Sequence, residues 1–119
     1  MNGTHLGLND FSPVDMRIKN ENLKTRPFLV MLSSPGCGHC KNATPAFVSL
    51  GKKHPAFIVQ SPSSNPEETK LMSAIQSWIK DGGGKFIGFP TYYKFHPNGH
   101  MEEYKGGRDE ASLEKFLLS

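Results

Sequence analysis

The chain has 119 residues, of which 36% are hydrophobic and 21% charged, which is ordinary globular usage and argues against wholesale disorder. The net charge is +3 and the basic residues are scattered among acids, so nothing favours nucleic-acid or membrane-surface binding. No apolar run approaches the roughly 18 residues that span a bilayer. At this length one domain is expected.

The N-terminal residues 1–9 are polar and are predicted to form a flexible segment, followed by one domain over residues 10–119. This N-terminus lacks both the charged and the apolar region of a signal peptide. A cytoplasmic protein is therefore the default expectation, with the endoplasmic reticulum or another oxidising compartment as the alternative if a leader was removed. Residues 10–26 fit a short helix poorly.

The first clear elements are a strand, a helix and a second strand. Residues 27–34 form a continuous apolar run with a β-branched centre, which predicts a buried strand. A helix is expected to start at the two cysteines and to reach about Lys53, with a kink at Pro45. Residues 56–62 repeat the pattern of a buried strand.

The second half of the chain predicts a helix, a hairpin and a last helix. Asn65 and Pro66 are typical of a helix start, and Gly82 of its end. Two alternating runs around residues 97–99 predict a β-hairpin, and Asp109 is expected to cap the last helix. This order predicts an α/β fold with a mixed sheet. The apolar stripes of the two helices are Leu71, Ile75, Trp78 and Ile79, and Leu113, Phe116 and Leu117.

The only cysteines are Cys37 and Cys40, at the start of the first predicted helix. Residues three apart share a helix face, so the two sulfurs can form a disulfide. Unpaired backbone N–H groups favour a thiolate at Cys37, whereas Cys40 lies one turn inside and would react second. Gly38 gives the loop close backbone access, and protonated His39 would add positive charge near Cys37.

Two other readings of these cysteines stay open at this point. They can be small buried side chains without chemistry. They can also join His96 and His100 in a zinc site, although 55 residues separate Cys40 from His96, against about 12 in a zinc finger.

A second motif, "GFPTYYKF", places Pro90 just before a predicted strand, after Gly88 and Phe89. Proline is tolerated at the first residue of a strand, and an X-Pro bond in a tight bend is a candidate for the cis form. Such a bend leaves backbone groups free to bind an extended peptide.

Together these motifs resemble the thioredoxin superfamily, and most closely a catalytic domain of protein disulfide isomerase. The resemblance implies a thioredoxin fold, with a central mixed sheet flanked by helices. It places the active site at the helix start after the central strand, beside a cis-proline loop. The matching segments, in order, are "PFLVMLSS", "SPGCGHCKNATPAF", "GFPTYYKF", "PNG", "EYKGGR" and the closing amphipathic helix.

For the cysteine motif, the resemblance implies that Cys37 is the nucleophile and Cys40 the resolving cysteine. Gly38 and His39 match the residues that set the oxidising character.

For substrate binding, the resemblance implies that Pro90 is the cis-proline and that Phe89 helps to form the peptide-binding bend. Arg108 matches an arginine that favours the thiolate of the second cysteine, a role that a nearby positive charge can perform. Gly36 lies at the substrate-contacting position just before the first cysteine.

Three positions depart from the family pattern. Met31 replaces a buried acid that helps to move the proton of the second cysteine, and Ser33 and Gly36 replace aromatic residues. The hypothesis is that deprotonation of Cys40 is slower here, or depends on Arg108, His39 or water.

The predicted function is that of a thiol–disulfide oxidoreductase acting on protein disulfides. Its expected partners are protein or peptide thiols and a reductase or oxidase, with no nucleic acid, membrane, metal or cofactor apart from the redox-active disulfide. A monomer is expected. The alternative is a thioredoxin-like adaptor that binds a partner through the cis-proline groove with little turnover. A glutathione-dependent role and a metal-binding protein are weaker alternatives.

Overall fold

A computed structural model describes residues 4–5, 26–62, 64, 66–84, 86, 88–97 and 100–119. Within these residues the strands are β1 (Thr4–His5), β2 (Phe28–Ser33), β3 (Ala56–Gln60), β4 (Thr91–Phe95) and β5 (Met101–Tyr104). The helices are α1 (Gly38–Gly51), α2 (Pro66–Asp81) and α3 (Glu110–Leu118). Within the described part of the chain, no helix is long and apolar enough to cross a membrane.

The strands form one mixed sheet in the order β1-β3-β2-β4-β5. Strands β1, β3 and β2 run parallel, whereas β4 is antiparallel to both β2 and β5. All six residues of the central strand β2 are buried, as its continuous apolar run predicts. The mixed sheet with its helices confirms the predicted α/β class.

Of residues 1–9, for which flexibility stays a prediction, the structure describes Thr4 and His5. Thr4 pairs with Phe57 and His5 with Ile58, so these two residues add an edge strand to the sheet. Two residues are too few to show a strand periodicity, which is why the sequence did not indicate them. The weakly patterned stretch up to residue 25 lies outside the described residues, as do Asn65 and the hairpin tip at 98–99.

Side chains of the sheet alternate between two faces, which we call the α2 face and the α1/α3 face after the helices that cover them. The α2 face holds an apolar cluster of Phe28, Val30, Leu32, Phe57, Val59, Leu71, Met72, Ile75, Trp78, Ile79, Tyr93 and Phe95. The α1/α3 face holds Leu29, Met31, Ala43, Phe47, Leu50, Ala56, Ile58, Tyr92, Leu113 and Leu117.

Helix ends follow the local sequence. Helix α1 includes Pro45, whose missing N–H cannot bond the carbonyl of Lys41, and it ends slightly before the predicted Lys53. Beyond α2, Gly83 has a φ of +87°, a conformation that glycine adopts readily. The carboxylate of Asp109 accepts a hydrogen bond from the Ser112 N–H at 3.0 Å, which confirms the predicted cap of α3.

Helix α3 is attached to the sheet by Lys94, whose side chain is only 2% exposed. The Nζ atom of Lys94 donates hydrogen bonds to the carbonyl oxygens of Phe116 at 3.2 Å and Ser119 at 2.9 Å. A lysine at a helix C-terminus satisfies carbonyls that have no partner within the helix and complements the helix dipole.

Candidate active site

Cys37 is the N-cap residue of α1, where the chain leaves strand β2 through a short turn. The Cys37 N–H donates to the Ser34 carbonyl at 3.1 Å, which closes the turn. The Cys37 Sγ accepts a hydrogen bond from the backbone N–H of Cys40 at 3.2 Å. A sulfur thus occupies the position at which a serine or aspartate oxygen usually caps a helix.

This environment lowers the pKa of the Cys37 thiol. The hydrogen bond with the Cys40 side chain is the largest cause, and the backbone N–H groups of Cys40 and His39 and the charge of Arg108 act in the same direction. Desolvation opposes these effects but does not outweigh them. Since the thiolate is the nucleophile in disulfide exchange, Cys37 is the activated sulfur of the pair.

Cys40 lies in a contrasting environment, with a side chain that is 2% exposed. Burial raises the pKa of the Cys40 thiol, and the hydrogen bond to Cys37 adds to this effect. The backbone of Ser34 and the side chain of Ser33 act in the opposite direction and lower the pKa of the Cys40 thiol in part.

The loop before β4 reaches Cys37 through its backbone. The Cys37 thiol donates to the carbonyl oxygen of Phe89, with Sγ and O 3.7 Å apart. The Phe89–Pro90 peptide bond is cis. The Phe89 ring turns away and packs against Phe86, with ring centroids 5.1 Å apart. Phe89 therefore contacts the site with its main chain rather than with its ring.

A cavity of about 360 Å³ lies beside this loop. The exposed Arg108 lies on its rim, where its charge reaches Cys37 and also the hydroxyl of Tyr92. The resemblance implied that Arg108 acts on the second cysteine, and that role stays a prediction. The residues that line the cavity are Gly88, Phe89, Pro90, Thr91, Tyr92, Glu103, Tyr104, Lys105, Gly106 and Arg108.

Around Cys37 the surface is open. Gly36, Gly38 and His39 are all exposed, and a Cβ atom added at either glycine would have no heavy atom within 4 Å. The site therefore has room for a bulky substrate, and the position of Gly36 could accommodate the aromatic side chain that the family usually has there.

The two histidines of the zinc alternative lie elsewhere. His96 follows the end of β4, whereas Phe89 and its neighbour Cys37 lie at the start of that strand, which extends roughly 16 Å. The His96 ring contacts that of His100, with centroids 5.4 Å apart, and its Nε2 lies 3.1 Å from a Glu102 carboxylate oxygen. The structure thus does not bring the Cys₂His₂ set together.

Tyr92 is a residue of this region that the sequence did not single out. It pairs with Met31 across strands β4 and β2, and its side chain is 3% exposed. Its hydroxyl has no hydrogen-bond partner among the described residues. Burial raises the pKa of Tyr92 to about 12. Strand alternation could have placed Tyr92 on the same face as Met31, but only once the pairing of the strands was known.

Comparison with known proteins agrees with this architecture. The sequence model of the family described as Thioredoxin matches residues 14–119. The protein disulfide-isomerase tigA of Aspergillus niger is 37% identical over 95 residues, which are 77% of this chain and 24% of that protein. The protein disulfide-isomerase erp38 of Neurospora crassa is 38% identical over 94 residues, with 75% and 23% covered. The chain thus spans about a quarter of the length of these relatives.

Solved structures show the same fold at lower sequence identity. Thioredoxin f from spinach chloroplast superposes with a TM-score of 0.60 at 17% identity, over 98% of this chain and 91% of that one. The Trx4 domain of ERdj5 gives a TM-score of 0.60 at 17% identity, over 99% and 94%.

The family match over residues 14–119 and the relatives above 30% identity confirm the resemblance that the motifs indicated. The chain belongs to the thioredoxin family, and it is similar in sequence to a part of protein disulfide-isomerases.

Proposed function

We propose that this domain exchanges disulfides with protein substrates, as an oxidase or isomerase rather than as an adaptor. The observation that carries the proposal is the asymmetry of the two sulfurs. Cys37 is partly exposed, caps a helix and has a lowered pKa, whereas Cys40 is buried and has a raised pKa. One sulfur is thus suited to attack and the other to act second.

In the reducing direction, the Cys37 thiolate attacks a substrate disulfide. A Cys37–substrate disulfide forms, and the other substrate sulfur leaves as a thiolate that takes up a proton. Cys40 then loses its proton and attacks the Cys37 sulfur. The Cys37–Cys40 disulfide forms, the bond to the substrate breaks, and the substrate is left with two thiols while the domain loses two electrons. The reverse sequence oxidises a substrate dithiol.

The stability of the reduced form of the domain decides whether it tends to oxidise or to reduce its substrates. The hydrogen bonds to the Cys37 sulfur and the nearby charge of Arg108 favour its thiolate. An environment that stabilises the reduced form makes the disulfide more oxidising. We therefore place the domain in an oxidising compartment such as the endoplasmic reticulum, where an oxidase partner would regenerate the disulfide.

The proposed binding surface for the substrate is the exposed surface around Gly36 together with the adjoining cavity. The main chain of Phe89 and Pro90 borders both and offers backbone groups to an extended peptide. The mixed charges of Glu103, Lys105 and Arg108 favour no single charge in the substrate. We propose that the domain acts as a monomer on unfolded or partly folded protein thiols.

The test measures the catalytic activity of the protein without substitutions and of the Cys37→Ser and Cys40→Ser variants. The two assays are the reactivation of scrambled ribonuclease and the reduction of insulin by dithiothreitol. Cys37→Ser is expected to abolish catalysis in both assays. Cys40→Ser should lose most turnover and accumulate a mixed disulfide with the substrate, visible on a non-reducing gel. Full activity of Cys37→Ser would overturn the proposal. Substrate binding without turnover in the unchanged protein would favour the adaptor instead.

A further inference from the structure

Two histidines meet at the end of the β4–β5 hairpin. The strand pairing runs to Phe95 and Met101, so His96 and His100 are the next residues opposite each other. The His96 N–H donates to the His100 carbonyl at 2.8 Å, which continues this register beyond the strands. Side chains directly opposite each other in an antiparallel pair lie on one face, with Cβ atoms about 5 Å apart. The backbone therefore holds the two imidazoles side by side.

The two rings are close together and accessible from solvent. Their centroids lie 5.4 Å apart, with an angle of 34° between the ring planes. The His96 side chain is 28% exposed, and His100 is exposed. Zinc binds imidazole nitrogens at about 2.0–2.1 Å, so two nitrogens on one tetrahedral ion lie roughly 3.3 Å apart. Side-chain rotation at this exposed position brings nitrogens of the two rings to that separation.

Glu102 contacts one of the two rings. It lies two residues beyond His100 along the chain, so both side chains belong to the same face of the hairpin. A carboxylate oxygen of Glu102 lies 3.1 Å from the Nε2 atom of His96. Because a carboxylate accepts from an imidazole N–H, this contact keeps the proton of a neutral His96 ring on Nε2 and leaves the lone pair on Nδ1. Metal-binding histidines usually donate their other N–H to such a partner.

A surface ion pair between His96 and Glu102 is the competing explanation. It would account for the 3.1 Å contact, but not for the second imidazole beside the first. Among the residues that the structure describes, no group of three or more histidine, cysteine, aspartate or glutamate side chains is arranged to hold a metal ion. A metal here would therefore have two protein ligands, with water in its other positions, and would bind more weakly than in a site with four protein ligands.

We propose that His96 and His100 bind zinc or a chemically similar divalent ion, and that Glu102 is a positioning residue that orients His96. Imidazole favours zinc, copper and nickel, whereas magnesium and calcium prefer oxygen ligands. The site lies at the end of β4 that is remote from Phe89 and Cys37, so it shares no group with the thiols. The inference does not depend on the proposed function, and it departs from the expectation that the chain binds no metal.

The test is titration of the protein with zinc chloride in a calorimeter. The protein is used with the Cys37–Cys40 disulfide formed, because free thiolates also bind zinc. His54→Gln is the matched control, since the Nε2 atom of His54 lies 2.8 Å from a Glu114 carboxylate oxygen, in the same kind of contact. The variants compared with it are His96→Gln, His100→Gln and Glu102→Gln.

The protein without substitutions should bind one zinc ion per chain. His96→Gln and His100→Gln should each lose this binding, because only one imidazole remains. Glu102→Gln should bind zinc about tenfold more weakly, as expected when a metal-binding histidine loses its carboxylate partner. His54→Gln should bind zinc with unchanged affinity.

Two further measurements distinguish metal ligation from a merely structural effect. In ¹⁵N NMR spectra, zinc should bind Nδ1 of His96 while Nε2 keeps its proton. Zinc should also raise the melting temperature of the protein without substitutions, because only the folded hairpin holds the two imidazoles together. The His96→Gln variant should melt at the same temperature with and without zinc.

Absence of zinc binding by the protein without substitutions would overturn the proposal, as would undiminished binding by either histidine variant. An equal loss of binding in His54→Gln would overturn it too, because the histidine pair would then not be what binds the ion. Unchanged affinity in Glu102→Gln, or zinc on Nε2 of His96, would overturn the orienting role of Glu102. None of these outcomes affects the proposed disulfide exchange, which the cysteine variants test separately.

Discussion

On the α2 face the sheet carries mostly phenylalanine, valine and leucine, whereas on the α1/α3 face it also carries Ser33, Tyr92 and Lys94. The polar side chains on the α2 side include Tyr93 and the buried Glu68, whose carboxylate accepts the Gln60 N–H at 2.9 Å. The α2 face thus serves mainly for packing, whereas the α1/α3 face combines packing with a serine hydroxyl, an amino group and the thiols. Changes on the first should affect stability alone, whereas changes on the second should also affect the thiols.

The largest effect is expected from Phe28→Ala on the α2 face. The Phe28 ring is fully buried, stacks on Phe95 at 5.4 Å and meets Phe57 edge-on at 5.5 Å. Its removal should lower the free energy of unfolding by about 3–5 kcal/mol, measured by urea denaturation. Alkylation of Cys37 should keep its pH midpoint. The control is Leu118→Ala, at a side chain that is 67% exposed. A shift in the pH midpoint of Cys37 alkylation would show that changes on the α2 face also affect the thiols.

The next effect is expected from Lys94→Met on the α1/α3 face. This change removes the amino group that donates to the carbonyls of Phe116 and Ser119, of which the first keeps the N–H and hydroxyl of Ser119 as donors. The free energy of unfolding should fall by about 1–3 kcal/mol. The exposed Lys70→Met on α2 serves as control and should change little. If Lys94→Met were as stable as the unchanged protein, the buried amino group would not be what attaches α3 to the sheet.

A smaller effect of opposite sign is expected from Tyr92→Phe. The hydroxyl is buried without a partner among the described residues, so its removal should raise the free energy of unfolding by about 1 kcal/mol. The ring contacts with Phe47 at 5.9 Å and Tyr104 at 6.1 Å are kept. Thermal or urea denaturation measures the change. A loss of stability would mean that the Tyr92 hydroxyl makes a hydrogen bond in the folded protein.

The smallest effect on stability is expected from Gly36→Trp, which lies at the rim and belongs to neither face. The position is exposed and free of neighbours, so the free energy of unfolding should change by less than about 0.5 kcal/mol. The indole would add apolar surface beside Cys37 and should lower the KM for a peptide disulfide. An unchanged KM would show that substrates do not contact this position.

The elements with long, regular patterns could be predicted from the sequence. The apolar run of β2, the stripe of α2 and the Asp109 cap all depend on neighbouring residues, and each is present in the structure. The lowered pKa of Cys37 could be anticipated because a helix start after a strand favours a thiolate.

The rest depends on pairing between distant segments. The sequence alone predicts an exposed lysine at position 94. Lys94 is buried because it bonds Phe116 and Ser119, which lie 22 and 25 residues further along the chain. Ser33 could be recognised only as a missing aromatic residue, because its burial depends on how distant elements pack over the end of β2. Thr4 and His5 belong to the sheet because they pair with β3, and no local sequence pattern indicates that pairing.

The cap of helix α1 is the sulfur of Cys37, the proposed nucleophile. A thiolate at Cys37 accepts the Cys40 N–H with a full charge, whereas a sulfur in a disulfide is neutral and a weaker acceptor. Oxidation therefore weakens the start of the helix, and the reduced protein should unfold at a higher temperature than the oxidised protein. The reduced protein is then more stable against unfolding than the oxidised protein. By linkage, this difference in the free energy of unfolding raises the reduction potential of the Cys37–Cys40 pair. Melting curves of the two redox forms thus measure oxidising strength without a redox buffer.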